Sequence, residues 1–595
     1  MPRRPVLGPL LAVFLFASAA RAGDPPAVYS LPSGGPPRLV VLLVVDQMRA
    51  DQLLGWGDRY TGGYRRLLDG GAVYEQCRYL QGPNETAPGH AVLSTGAWAH
   101  RNGITANTWW SREENRPVYA IEDPAEHPVG AGDTAGLGCR GAERGVSPRN
   151  LRAETLGELL WARTAGSGRV IAVTGKDRAA VLLAGPRGKA YWPDECTGRM
   201  RTSSCYHRDE RDLPLWLTRF NAECGVERWR VPAWEPLDAG PAADGRPADG
   251  RRADGSPAGG ARPAFSHPLP AIAPGARPSR EYLHAFSLTP YAGEWVLAAA
   301  ESAVTGLGLG RWEAPDLLFV GLSAHDPVGH EYAPGSAEAL DNCRREDLAL
   351  ARFLDLLDER VGRGSYLLAL CADHGMSHLP EDAAAWRLDP DMADPLRPHA
   401  RTGDEPLFAD PRERKGRFPP PARLRAGDFL RAADSLAALS GAPAGHWRWW
   451  DPYMYFVPDS VAERAPLPER LLGGLRAVLT QEFPMARMFL RSELRDTSAT
   501  RDPLLRPARL AYMPERAGEF YVVPDPGFVM TYARSGSRHG APYAYDNHVP
   551  LVFYGAGVRP GRHAEPVSPA DVAPTLGSRL NIGAPAQAEG HALDP

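Results

Sequence analysis

Five runs of the chain hold apolar residues without polar alternation. They are RLVVLLVVD ending at Asp46, RVIAVTGKDR ending at Arg178, DLLFVGLSAHD ending at Asp326, SYLLALCADHG reaching Asp373, and HVPLVFYGAG starting at His548. Runs of this kind predict strands covered on both faces, as in a parallel sheet between layers of helices. Helical spacing takes over between them, in NLRAETLGELLWART from Asn150 and in EALDNCRREDLALARFLDLLDERV from Glu338. This alternation predicts an α/β fold: a doubly wound, mostly parallel sheet with helices on both faces, plus cap or insertion segments. The insertions are stretches where both periodicities fail. Residues 235–263 are rich in Ala, Gly, Pro, Asp and Arg and are expected to be a disordered loop. Residues 384–450, with RFPPPARLRAGDFL and GHWRWWDPY, are expected to form an insertion or cap within a catalytic domain spanning 37–595.

The N-terminus follows a different pattern. MPRR precedes the apolar run LGPLLAVFLFASAA, then the small-residue site Ala20-Arg21-Ala22. A basic start, a short apolar core and a small-residue site predict a cleaved signal peptide over 1–22, hence a periplasmic or extracellular protein. The run is too short to span a bilayer comfortably, and no later stretch reads as a membrane anchor. With 43% hydrophobic and 23% charged residues, the remainder reads as globular. A formal net charge of −4 without a large basic run argues against nucleic acid as a specific partner, while leaving room for a small anionic substrate. Seven cysteines leave at least one unpaired in a monomer. Cys196 and Cys205 are close enough in sequence to bridge in an oxidising compartment, and Cys371 is expected as a buried free thiol. None has CxxC spacing, so a cysteine-zinc site is not expected.

Chemistry gathers where the apolar runs stop. Four of them end, on the carboxyl side, in groups that hold metals or anions: Asp46, Lys176 with Arg178, Asp326, and Asp373 with His374. Ligands of open α/β sheets bind beyond the carboxyl ends of the strands. One such Asp is an ordinary helix cap; four on neighbouring strands would converge on one site. HDPVGH places Asp326 and His330 four residues apart, on one face of a helical turn. His548 heads an apolar run, a fixed position for a ligand; His539 in SRHGAPY is the nearby competitor, and the strand position favours His548. Three carboxylates and three imidazoles are too many for one tetrahedral ion and suit two Zn²⁺. Two such ions stabilise the attacking and leaving oxygens of an in-line displacement and activate a hydroxyl. NETAPGHAVLSTG supplies that hydroxyl: Thr86 is either the cap of a helix or a nucleophile, and the metal set favours attack. Lys176 and Arg178 flank Asp177 and in an extended segment would point to one side.

Taken in order, VVDQMRAD, TAPGHAVLSTG, GITANTWW, GKDRAAVLLAG, AHDPVGHEY, CADHGM and YDNHVPLVFYG resemble the alkaline phosphatase superfamily. Within it they resemble the PafA-type, threonine-nucleophile alkaline phosphatases. The resemblance implies hydrolysis of small phosphate monoesters through a phosphothreonine on Thr86, releasing inorganic phosphate. It implies two Zn²⁺, one held by Asp326, His330 and His548, the other by Asp46, Asp373 and His374 with Thr86 as an oxygen ligand. Asn107, Lys176 and Arg178 match its phosphate-binding positions, and cations and an amide aimed at phosphoryl oxygens suit a charge-rich transition state. The alternative is a phosphodiesterase or nucleotide pyrophosphatase with the same bimetal core. Lys176 and Arg178 argue against it, because the second substituent of a diester needs room or an apolar pocket. A sulfatase would need Cys or Ser in a C/S-x-P-x-R context, where TAPGH has Thr.

Overall fold

All seven residues of Leu39–Val45 (β1) are fully buried, so neither face of this strand meets water and it belongs at the centre of a covered sheet. The structure, a computed structural model, describes residues 35–130, 132, 143–237, 265–273, 276–382, 385–386, 422–439, 445–458 and 467–595. The expected signal peptide at 1–22, most of 235–263 and much of 384–450 lie outside the described residues.

The sheet has ten strands. After β1 come Ala72–Arg78 (β2), Pro128–Val129 (β3), Val170–Thr174 (β4), Lys189–Pro193 (β5), Met200–Ser203 (β6), Asp316–Leu322 (β7), Tyr366–Cys371 (β8), His548–Gly555 (β9) and Gly561–Val567 (β10). Their spatial order is β10-β2-β9-β8-β1-β7-β4-β5-β6-β3. The central five, β8, β1, β7, β4 and β5, are parallel. On one side β9 is antiparallel to both β8 and β2, and on the other β6 is antiparallel to β5 and β3. The sheet is therefore mixed, with its parallel part at the centre as expected and antiparallel strands toward the edges. The cause is the route into β9. Its approach loop is tied to the carboxyl rim, with Met376 N–H donating to Tyr545 O at 3.0 Å and Ser377 N–H to Arg538 O at 2.9 Å. A chain entering from that rim, with no crossover helix, can only run antiparallel.

Five helices matter for the site: Thr86–Thr95 (α1), Leu156–Arg163 (α2), Asp177–Ala184 (α3), His325–Tyr332 (α4) and Ala337–Leu357 (α5). α2 starts later than the pattern predicts because Thr155 and Glu158 form a reciprocal capping box. α5 is capped by Ser336, whose Oγ accepts from Ala339 N–H at 3.0 Å. α1 is buried along its whole length. Gly89 makes that possible: a Cβ there would stand 2.2 Å from Asp373 O, so only glycine lets α1 lie directly on the end of β8.

A second, antiparallel sheet joins Trp447–Trp450, Tyr453–Phe456, Phe520–Pro524 and Met485–Leu490. It has its own core, including Phe429, Trp447, Met454, Leu479 and Met488. The stretch 384–450 contributes the helix Ala426–Leu439 and one strand of this lobe; the other three strands come from beyond it.

Cys196 is in a disulfide, but Cys205 is a free thiol with its Sγ 3.6 Å from Val146 O, so the expected Cys196–Cys205 bridge is not formed. Asp194 ties the Cys196 turn back on itself by accepting from the Cys196 and Thr197 N–H groups, and β6 carries the chain away before Cys205. Cys371 is the buried free thiol expected.

The core makes one stability prediction. Leu42 is fully buried between Phe319 of β7 and Ala369 of β8. Leu42→Ala is expected to cost about 2–5 kcal/mol, read as a lower midpoint of urea unfolding.

Candidate active site

Four neighbouring strands, β8, β1, β7 and β4, deliver their carboxyl ends to one rim. Asp46 follows β1, Lys176 follows β4, Asp326 follows β7 on α4, and Asp373 with His374 follows β8. The Lys176 Nζ lies 2.7 Å from Asp46 Oδ2 and 2.6 Å from Asp326 Oδ2. His374 Nε2 is 3.5 Å from Asp46 Oδ1 and 3.6 Å from Asp373 Oδ2. Asp326 and His330 meet across one turn of α4, Oδ1 to Nε2, at 3.3 Å.

Thr86 is the first residue of α1, not its cap; Glu85 holds the cap position without a side-chain capping bond. The first-turn amide of Ala87, which has no partner within the helix, is instead satisfied by Asn107, whose Oδ1 accepts at 2.8 Å. That bond commits the Asn107 carbonyl and leaves its Nδ2 as the donor. Thr86 Oγ1 is thereby released from capping duty. Two cations converge on it: Lys176 Nζ at 3.4 Å and Arg178 Nη2 at 3.2 Å. The segment is not extended through Arg178 as the sequence predicts. Lys176 caps α3 in β geometry and Arg178 sits in its first turn, yet both reach the same oxygen.

His548 lies apart from the carboxylates with which the sequence groups it. It starts β9 on the correct rim, but β9 lies beyond β8, paired there with Arg78 of β2, and its Nε2 is 2.9 Å from Glu75 O. His539, on the approach loop, takes the place expected for it. Its Nε2 is 3.8 Å from Asp326 Oδ1, its ring stacks on His374 at 3.8 Å between centroids, and its Nδ1 is 3.1 Å from Asn84 O. Two candidate ligand groups result: Asp326, His330 and His539; and Asp46, Asp326 and His374, with Asp373 alongside.

The donor atoms fit metal ions. Asp46 Oδ1, Asp326 Oδ1 and His374 Nε2 are buried and make no hydrogen bond among the described residues. Nitrogen and oxygen donors each about 2.1 Å from a tetrahedral Zn²⁺ stand about 3.4 Å apart. The observed separations of 3.3, 3.5 and 3.6 Å bracket that value.

Electrostatics follow the crowding of carboxylates. Burial, then Asp373, pushes Asp46 up to about 6 against the pull of Lys176. Burial would also raise Asp326, but Lys176 and His330 outweigh it and hold the group well below the ordinary range. Burial draws the Lys176 ammonium down, and Asp326 and Asp46 more than restore it. The site thus contains a lysine kept charged by the carboxylates around it.

Some participants carry no strong sequence signal. His90 stands four residues after Thr86 on the same face of α1; its Nδ1 is 2.7 Å from Thr86 O and 3.2 Å from Asp373 Oδ2. Glu85 Oε2 accepts the Asn107 N–H at 2.6 Å, and Asp177 accepts from Tyr119 Oη at 2.6 Å beside Arg178. Behind α4, His325 Nδ1 is 3.1 Å from Glu346 Oε2 and its Nε2 is 3.1 Å from Gln52 Oε1, bracing the residue next to Asp326.

Residues 40–546 match the family described as type I phosphodiesterase / nucleotide pyrophosphatase. The chain belongs to that family. Within the type I phosphodiesterase family it is similar to alkaline phosphatase PafA of Elizabethkingia meningoseptica, 28% identical over 93% of each chain. It is also similar to alkaline phosphatase PhoV of Synechococcus elongatus, 29% identical over 94% of this chain and 92% of the relative. The crystal structure of wild-type PafA superposes with a TM-score of 0.75 at 27% identity, over 94% of this chain and 99% of that one. A further PafA structure carries combined substitutions of a threonine, an asparagine, a lysine and an arginine, the residue types that converge here.

Proposed function

We propose that the protein hydrolyses phosphate monoesters through a phosphothreonine on Thr86, releasing inorganic phosphate. The observation that carries the reading is the convergence of Lys176 Nζ and Arg178 Nη2 on Thr86 Oγ1, with Asn107 anchored beside it. In this reading the two cations and the Asn107 Nδ2 hold the phosphoryl oxygens, and the α1 N-terminus adds a favourable partial charge. Thr86 Oγ1 attacks phosphorus in line with the departing alcohol, and water then cleaves the phosphothreonine. Asp326, His330 and His539 would hold one Zn²⁺, and Asp46, Asp373 and His374, with Thr86, the other. Such ions supply charge stabilisation and lower the pKa of a hydroxyl. The relatives named alkaline phosphatase support a monoester substrate.

The family description names diesterases and pyrophosphatases, so a diester is the second reading. The two cations favour the monoester, whose phosphoryl group carries more negative charge. Rates on 4-nitrophenyl phosphate and bis-4-nitrophenyl phosphate decide: the monoester is expected to be faster, and a faster diester would reverse the assignment. Lys176→Ala is expected to lower kcat/KM for the monoester roughly 10²-fold, more than for any diester activity.

Export is proposed on the sequence of residues 1–22. Among the described residues no helix is long and apolar enough to cross a membrane.

A further inference from the structure

A cavity of about 360 Å³ opens beside the rim, between the approach loop to β9 and the second sheet. His539 lines it on the rim side. Trp449, Phe528, Tyr532 and Tyr545 line it elsewhere, and Asp451 contributes a carboxyl group. We propose that this cavity receives the alcohol portion of the substrate and favours an aromatic, uncharged one. The proposal rests on the monoesterase reading above and adds the substrate class to it.

In an in-line displacement the departing oxygen leaves on the side of phosphorus opposite the attacking one. Thr86 shares its end of the site with His90 and Asp373. The histidines His330 and His539 lie at the other end, around Asp326. His539 belongs both to that end and to the wall of the cavity, so an alcohol departing there enters the cavity directly.

The wall then sets the class. Aromatic side chains around a space of this size suit a planar ring system, held by stacking and edge contacts. A hydrated polyol gains little from such a wall. Burial, then Glu85 and Asp546, push the Asp451 carboxyl well above the usual carboxylate range, so it offers no counter-charge to a cationic alcohol and the wall suits an uncharged one. The nearest cation, Arg538, is engaged: its Nη1 donates to Ser537 O at 2.8 Å and lies 3.1 Å from His330 Nδ1. Tyr532 lines the cavity and is 65% exposed, so its ring can be removed without opening the core.

The test uses the full-length metal-loaded enzyme and two substrates, adenosine 5′-monophosphate and glycerol phosphate. Both release primary alcohols, so intrinsic reactivity is matched and the difference lies in the ring system. Tyr532→Ala is expected to lower the ratio of their kcat/KM values about fivefold, at the expense of the adenosine ester. Competitive inhibition by adenosine alone is expected to weaken by a similar factor. Trp449→Ala is expected to move both readouts further in the same direction. Trp449 is buried in the second sheet, so the exposed Tyr532 keeps the test decisive if that variant folds poorly. An unchanged substrate ratio with unchanged adenosine inhibition overturns the assignment of the cavity. A wild-type enzyme that hydrolyses neither ester overturns the monoesterase reading beneath it.

Discussion

Thr86→Ala is expected to reduce kcat on a phosphate monoester roughly 10⁴-fold or more, the scale seen when a nucleophile is removed from a site that otherwise stays intact. The structure makes this substitution unusually clean. A threonine that caps a helix contributes about 1 kcal/mol through its side chain, so its loss would confuse stability with catalysis. Thr86 is not the cap; Asn107 satisfies the Ala87 amide. Its hydroxyl faces Lys176 and Arg178, so alanine removes a reacting group and little else. Unfolding midpoint and bound zinc are therefore expected to stay near wild-type values. Acid quench after mixing with labelled substrate is expected to trap phosphothreonine in the wild type and none in the variant. Turnover of Thr86→Ala within tenfold of wild type would remove Thr86 from the mechanism and leave the metal cluster with some other nucleophile. Thr86→Ser, which keeps the hydroxyl, is expected to retain part of the activity and the label.

Much of this arrangement was legible because strand termini carry information that survives without coordinates. Uninterrupted burial of β1, β4, β7 and β8 followed from composition, and the polar residue after each run had to lie on one rim once those strands were neighbours. Direction held for these four parallel strands but not for the fifth run. A continuous apolar run reads the same in a parallel or an antiparallel strand, and β9 proved antiparallel. The different placement of His548 and His539 was hidden for a related reason. A strand position fixes the backbone but also fixes which neighbours the side chain meets, and for His548 those are Glu75 and Arg78 of β2. His539 is on a loop, where no periodicity marks it, and long-range ties such as Ser377 N–H to Arg538 O and Ser537 N–H to His330 O bring that loop over the rim. The second sheet was hidden similarly. Its four strands are short and separated by up to several tens of residues, so nothing local announces that Trp447–Trp450 and Phe520–Pro524 share a layer.

Removing metal with a chelator at neutral pH is expected to abolish activity, and Zn²⁺ to restore it with two ions bound per chain. The carboxylates give the reason. Asp46, Asp326 and Asp373 are buried within one small volume, with Lys176 and Arg178 as the nearby fixed cations. Burial first, and then the like charge of Asp373, push Asp46 up to about 6. Divalent ions at the orphaned oxygens and the His374 Nε2 would relieve that repulsion and satisfy the unbonded atoms together. The histidines separate this account from the one the sequence favoured. His539→Ala is expected to lose about one of the two zinc ions and at least 10²-fold in kcat/KM, because it removes a ligand from the Asp326 and His330 group. His548→Ala is expected to keep both ions, since its ring faces the β2 backbone. Zinc content by elemental analysis, measured beside activity for the two variants, reads the difference directly. Loss of an ion from His548→Ala with full retention in His539→Ala would return the ligand role to β9 and break the link between His539, the departing alcohol and the cavity it lines.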